Sequence, residues 1–245
     1  MRKLGAATIC AALAGCVTAG ETISFRTSNP QQQAMVRDGQ PALVSRQKSS
    51  LVIVRPASRQ LQANGRPVFI VGINNLGKEP INFQVSHVEA VQHVSGSDYD
   101  MKIVTYEMLV QEEKNRQVAA AILTGVAAAG NAYGASQAGY GHYTTPSGRT
   151  GTFYSPTAAA IAQGNATAQN DAMIAATVEN GQRNMATLEQ SVIKDDTLMP
   201  GEWYGGQLHL APPTDQAGGQ KSYTFVITVG TDRHVIDVNQ GPAGT

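Results

Sequence analysis

Charge, cysteine and aromatic side chains are all scarce in this chain, and each scarcity excludes something. Charged residues make up 15% of the 245 positions, and the 18 Lys and Arg are balanced by 18 Asp and Glu. A nucleic-acid partner, which needs a basic face, is therefore not expected. The only cysteines are Cys10 and Cys16. Everything downstream of them lacks the means for a disulfide, a cysteine-ligated metal or a thiol nucleophile, so stability there must come from packing. Aromatics amount to 6%, with Trp203 the one tryptophan. No histidine pair has the H-E-x-x-H spacing, and neither the G-x-S-x-G nor the complete G-x-x-x-x-G-K-[ST] pattern occurs. Gly148-Arg149-Thr150-Gly151 lacks the lysine and the preceding strand of a phosphate loop. His87 and His93 could share a strand face, but a chance pair is the plainer reading. No catalytic residue, metal ligand or cofactor is nominated.

What is present begins with Met1-Arg2-Lys3, an apolar run from Leu4 to Leu13, and Ala14-Gly15-Cys16. A basic start, a short apolar segment and small residues before a cut form a secretory leader. The run is too short for a membrane-crossing helix, which needs about 20 residues. Leu13-Ala14-Gly15-Cys16 resembles the lipobox of bacterial lipoproteins. That resemblance implies cleavage before Cys16 and acylation of Cys16, with residues 1–15 removed. Several acyl chains on one residue make a lasting membrane anchor. Val17, where an Asp would favour inner-membrane retention in this class, implies the outer membrane with the domain facing the periplasm.

Residues 16–49 are polar and read as a flexible tether, although Thr22-Ile23-Ser24-Phe25 alternates and could add an edge strand. From Leu51 the pattern is β. Leu51–Val54, Val68–Asn74 (apolar on both faces, hence central) and the alternating Ile81, Phe83 and Val85 are strands, with a turn at Asn64-Gly65. The phase shift before Val88 predicts a bulge near His87. Residues 102–106 suit a further strand. The pattern resumes at 207–210, at the one-sided Tyr223, Phe225, Ile227 and Val229, and at Val235–Val238, which pairs back as a hairpin. These strands argue a mainly β sandwich of immunoglobulin-like architecture over 50–106 and 200–240.

Between them, 107–199 reads as an inserted antiparallel pair of long helices. From 117 to 170 the one charged residue is Arg149. The first helix, about 107–139, places Val118, Ile122, Val126, Ala129 and Tyr133 on one face, and Gly125, Gly130, Gly134 and Gly139 recur like a glycine zipper. The second opens at Ser155-Pro156, an N-cap followed by a favoured first-turn proline, and can run to about Asp195. Its Ile174, Val178, Gly181, Met185, Leu188 and Val192 form a heptad seam. The tip, 140–154, is a polar loop carrying Tyr140, His142, Tyr143, Arg149, Phe153 and Tyr154, the composition of a contact surface.

The resulting expectation is a lipid-anchored envelope protein that binds or scaffolds without catalysis. The lipid on Cys16 would meet the membrane, and the helical hairpin would meet a protein partner or a second copy. The alternatives are a hydrolase or metal-binding module on the sandwich loops, and an oligomeric membrane-inserting assembly.

Overall fold

A computed structural model describes residues 20–62, 65–94, 96–213 and 221–242. The leader, Cys10, Cys16 and Asn64 of the expected turn lie outside the described residues. In chain order the elements are β1 (Glu21–Arg26), β2 (Gln32–Arg37), β3 (Gln40–Arg46), β4 (Ser50–Pro56), β5 (Val68–Asn75), β6 (Ile81–Val94), β7 (Ser97–Asp100), β8 (Ile103–Val104), α1 (Tyr106–Gln137), β9 (Tyr140–Thr144), β10 (Thr150–Tyr154), α2 (Pro156–Ser191), β11 (Asp196–Leu198), β12 (Trp203–Leu210), β13 (Lys221–Val229) and β14 (Asp232–Pro242).

The chain divides into two compact units. The first comprises Met1–Ile103, Thr197–Tyr204 and His209–Thr245, and the second Val104–Asp196 with Gly205–Leu208. The first unit is a β sandwich. One sheet runs β1-β14-β13-β6-β11, with β7 also on β6, and the other runs β2-β3-β4-β5-β12-β8. Alternation fills the space between them: β4 buries Ser50, Val52, Val54 and Pro56 in a strict period of two. Tyr223, Phe225, Ile227 and Val229 of β13 are all essentially inaccessible. Phe69 and Phe225 stack tilted across the core at 4.8 Å. β5 is central, as its two apolar faces require, and the register of β6 against β13 slips between Ile227 and Val229, opposite the stretch that holds His87.

The tether expected over 16–49 is not what its described part does. Residues 21–46 form three strands, and β1 closes one sheet edge by pairing with β14. Asp38 and Gly39 both take positive φ, 54° and 72°, which makes a tight β2–β3 turn. The physical reason is burial within the sheet: in β1 Glu21 and Ile23 are buried while Thr22 and Ser24 are exposed, and β3 buries Ala42, Leu43 and Ser45. The strand expected over 102–106 is only Ile103–Val104, because the Thr105 hydroxyl accepts from Met108 N–H and starts α1 instead. Trp203, which no sequence pattern placed in a strand, opens β12.

Two polar groups are buried within the sandwich. Lys221 Nζ meets both Glu21 oxygens at 3.0 and 2.9 Å, Gln240 Nε2 donates to Glu21 at 2.6 Å, and Tyr223 Oη donates to Gln240 at 2.6 Å. Burial and the Glu21 charge push the Tyr223 hydroxyl well above the ordinary tyrosine range. His234 is fully buried between two hydroxyls, Ser45 Oγ at 3.0 Å from Nδ1 and Ser50 Oγ at 2.9 Å from Nε2, and Ser50 also donates to Asp232 at 2.8 Å. Burial lowers the His234 pKa from 6.5 to about 4, against a smaller upward pull from Asp232.

A folded-state pKa below the unfolded one means that the unfolded chain takes up a proton that the fold refuses. The His234 contribution is thus complete above pH 6.5 and is lost as pH falls toward 4. At about 1.4 kcal/mol per unit, the loss is about 3 kcal/mol. Urea denaturation at pH 7 and at pH 4.5 should show this drop in the native chain and a clearly smaller one in His234→Gln. Equal drops in both would remove the assignment.

Candidate functional site

The second unit is built on two antiparallel helices. Ser155 caps α2 by accepting from Ala158 N–H, with Pro156 in the first turn. At the open end of the pair Val104, Leu109 and Val192 form a small core, flanked by Tyr106, Met108 and Leu188. Tyr106 Oη donates to Glu189, Lys194 Nζ meets Glu189 Oε1 at 2.5 Å, and the same ammonium stands 4.3 Å over the Tyr106 ring. The Lys194 and Tyr106 bonds hold the Glu189 carboxyl below the usual range, and the Glu189 bond raises Tyr106.

Beyond that core the seam between the helices is polar. Glu113, buried, accepts from Arg116 Nε at 2.8 Å, Gln117 at 3.1 Å and Asn184 at 3.2 Å. Burial alone would raise its pKa, but the bonds from Gln117, Arg116 and Asn184 outweigh that and hold it below 4.5. Gln117 also donates to the Gly181 carbonyl at 3.1 Å, the Thr124 and Thr177 hydroxyls meet at 3.0 Å, and Asn131 donates to Asn170 at 2.9 Å. Ala135, Ala159, Ala166 and Gly181 are the buried small residues that let the backbones approach.

This departs in part from the expected arrangement. Ile174 and Val178, expected in the seam, are 50% and 54% exposed and Thr177 faces α1 in their place, whereas Gly181 and Val192 of the expected seam are buried. Val118, Ile122, Leu123, Val126 and Tyr133 are 60–71% exposed. Gln117, Thr124 and Asn131 face α2 and bond to it, and at seven-residue spacing they turn the apolar positions outward. Of the expected glycine zipper, Gly125, Gly130 and Gly134 are not packed, because a Cβ there would meet nothing within 4 Å, whereas one at Gly139 would strike the Tyr154 ring and Ala159. Fully burying an aliphatic side chain is worth about 1.5–3 kcal/mol. Five large apolar side chains left in the open on α1 are therefore the least satisfied surface of this unit.

The tip is a β-hairpin, β9 on β10, where a loop was expected. It splits the six nominated residues. Tyr140 pairs with Tyr154, their rings 5.0 Å apart, and His142 pairs with Thr152 on that face. Tyr143 lies across from Gly151, and Phe153 across from Gly141, on the other face. A Cβ at Gly151 would strike the Tyr143 ring at 2.6 Å, so each glycine leaves room for the aromatic opposite. Arg149 closes the turn through its backbone, donating N–H to Thr145 Oγ1 at 3.1 Å. Tyr140, His142, Tyr143, Phe153 and Tyr154 are all exposed, but on two faces rather than one.

Sequence reasoning did not find the surface relay of the sandwich. His93 Nδ1 meets Asp98 at 2.7 Å and His93 Nε2 meets Thr224 Oγ1 at 2.9 Å. The spacing imitates a base and its orienting acid, but Thr224 donates its hydroxyl hydrogen to Asp237 at 2.7 Å and is not an activated nucleophile. His87 takes no part in it. Among the described residues no group of three or more His, Cys, Asp or Glu could hold a metal ion. No protein family, curated protein or solved structure matches this chain.

The depressed Glu113 carboxyl contributes stability above pH 4.5 that is lost as pH falls through its folded value. Glu113→Gln keeps the shape and removes the charge. It should cost about 1–3 kcal/mol and speed amide exchange around Arg116 and Asn184 while leaving the β9–β10 amides unchanged. Unchanged exchange at Asn184 would contradict the role of the buried carboxylate.

Proposed function

We propose that this chain is a lipid-anchored cell-envelope protein, held through Cys16 and facing the periplasm from the outer membrane, that binds rather than catalyses. The working surface is the α1–α2 pair with its β9–β10 tip. One observation carries the reading: most of the exposed large apolar and aromatic side chains lie there, on α1 from Val118 to Tyr133 and on the tip at Tyr140, Tyr143, Phe153 and Tyr154. Exposed apolar surface of that extent marks an interaction site. Tyr and Phe supply large contact area at low entropic cost.

The alternative of a hydrolase finds less support. Of the two histidine clusters, the one around His234 is closed to solvent, and the one around His93 lies on strands with its hydroxyl committed elsewhere. The gathered acid, base and nucleophile that acyl transfer needs is absent among the described residues.

A photoreactive phenylalanine at Tyr143 or Tyr154 tests the binding role in intact cells. Both positions should crosslink to a discrete envelope component or to a second copy, and the same probe at exposed Val36 of β2 should not. Equal, diffuse labelling from all three sites would overturn the assignment of the tip.

A further inference from the structure

The surface of α1 states what chemistry covers it. Every exposed residue from Val118 to Ala132 is Ala, Gly, Val, Ile or Leu. The polar side chains in that stretch, Thr124 and Asn131, both turn inward and bond α2, as does Gln117 just before it. A helix that docks on one protein neighbour needs an apolar stripe only about 100° wide, with polar residues on its flanks. Here the flanks are apolar too: Ala121, Gly125 and Leu123 lie to either side of the Ile122–Val126 line and are exposed. Polar groups paired inward and small residues in the seam are how helices associate where water is absent.

We propose that α1, over the stretch beginning at Gln117 and ending at Ala135, lies against the hydrocarbon of a lipid bilayer with α2 turned away from it. This rests on the reading that the helix pair is the working surface. Three further observations support it. Among the described residues α1 is the one helix long and apolar enough to cross a membrane. The commonest soluble explanation for such a helix, a buried core position, does not apply, because only 6% of the 18-residue window is buried. The stretch from Gln117 to Ala135 is also flanked by residues that suit the headgroup level: Lys114 and Arg116 precede it, Tyr133 stands near its end, and Tyr140 and Tyr154 follow it.

The outer side of α2 is different. Ile161, Ile174 and Val178 are exposed there, but they stand among exposed Gln163, Asn165, Gln169, Asp171 and Glu179, and an uncovered carboxylate in hydrocarbon is costly. The pair is therefore two-sided, with lipid against α1 and water against α2.

The test uses the full chain with Trp203→Phe, reconstituted in neutral phosphatidylcholine vesicles carrying bromine on the acyl chains. Val126→Trp, or Ala119→Trp where the first does not fold, should emit at the blue end and be strongly quenched by the bromine. Ala168→Trp on the outer side of α2 should emit as in water and stay unquenched. The inference is overturned by an unquenched probe at both α1 positions, or by equal quenching on α1 and α2. An α1 probe that is shielded without lipid in a chain that sediments as an oligomer overturns it as well, since a second copy then covers the face. Loss of quenching with the Tyr143 crosslink intact removes this inference and leaves the binding role standing.

Discussion

The α1–α2 unit depends on the row of polar contacts along its seam. Gln117 to Gly181, Thr124 to Thr177 and Asn131 to Asn170 descend along one helix as they ascend along the other, so they set the direction and the register together. Each contact is modest, about 1 kcal/mol net in water. Its leverage is geometric. A helix rotated to bury Ile122 and Val126 would turn Thr124 and Asn131 away from their partners. The seam can be narrow because Ala135, Ala159, Ala166 and Gly181 bring the backbones close. Everything proposed about the outer surface follows from that choice of inner line.

The sandwich follows the opposite rule and is built on an apolar interior with a few enclosed polar groups. Phe69, Phe83, Phe225 and Ile236 are essentially inaccessible. Within that interior the Lys221–Glu21 pair, satisfied further by Gln240, ties the first described strand to two strands near the end of the chain. A buried ion pair of this kind contributes little net stability but is costly to break from one side. Its place on β1, β13 and β14 makes the pairing of distant segments specific. The two units thus use polar groups differently: sparingly inside the sandwich, and as the main contact between the helices.

Much of the architecture was legible where local chemistry decides it. Ser155-Pro156 marks the start of α2, and the alternation of Tyr223 to Val229 marks an inward-facing strand, because both signals sit within a few residues. Asp38-Gly39 was equally local but was masked by the polar composition around it, so three strands read as a tether. The seam was legible at Gly181 and Val192 but not nearer the tip, because apolar residues are expected to face inward. Ile174 and Val178 fit the helical spacing to Gly181 as well as Thr177 does, and only the non-local partner Thr124 decides between them. The tip was read by composition, whereas its strands depend on pairing Gly141 with Phe153 and Tyr143 with Gly151, a register visible only in space. Lys221 reads as a surface lysine until Glu21, two hundred positions earlier, is placed beside it.

The direct test of the inverted helix pair is disulfide closure in the full chain, with the native cysteines alone as control. The Thr124 and Thr177 hydroxyls are 3.0 Å apart, which places their side chains within reach of an S–S bond. Thr124→Cys with Thr177→Cys should close quantitatively under mild oxidation within one chain, whereas Ile122→Cys with Val178→Cys, both on exposed positions, should not. Closure of the second pair in preference to the first would mean that the apolar residues form the seam, and the account of the outer surface would be wrong.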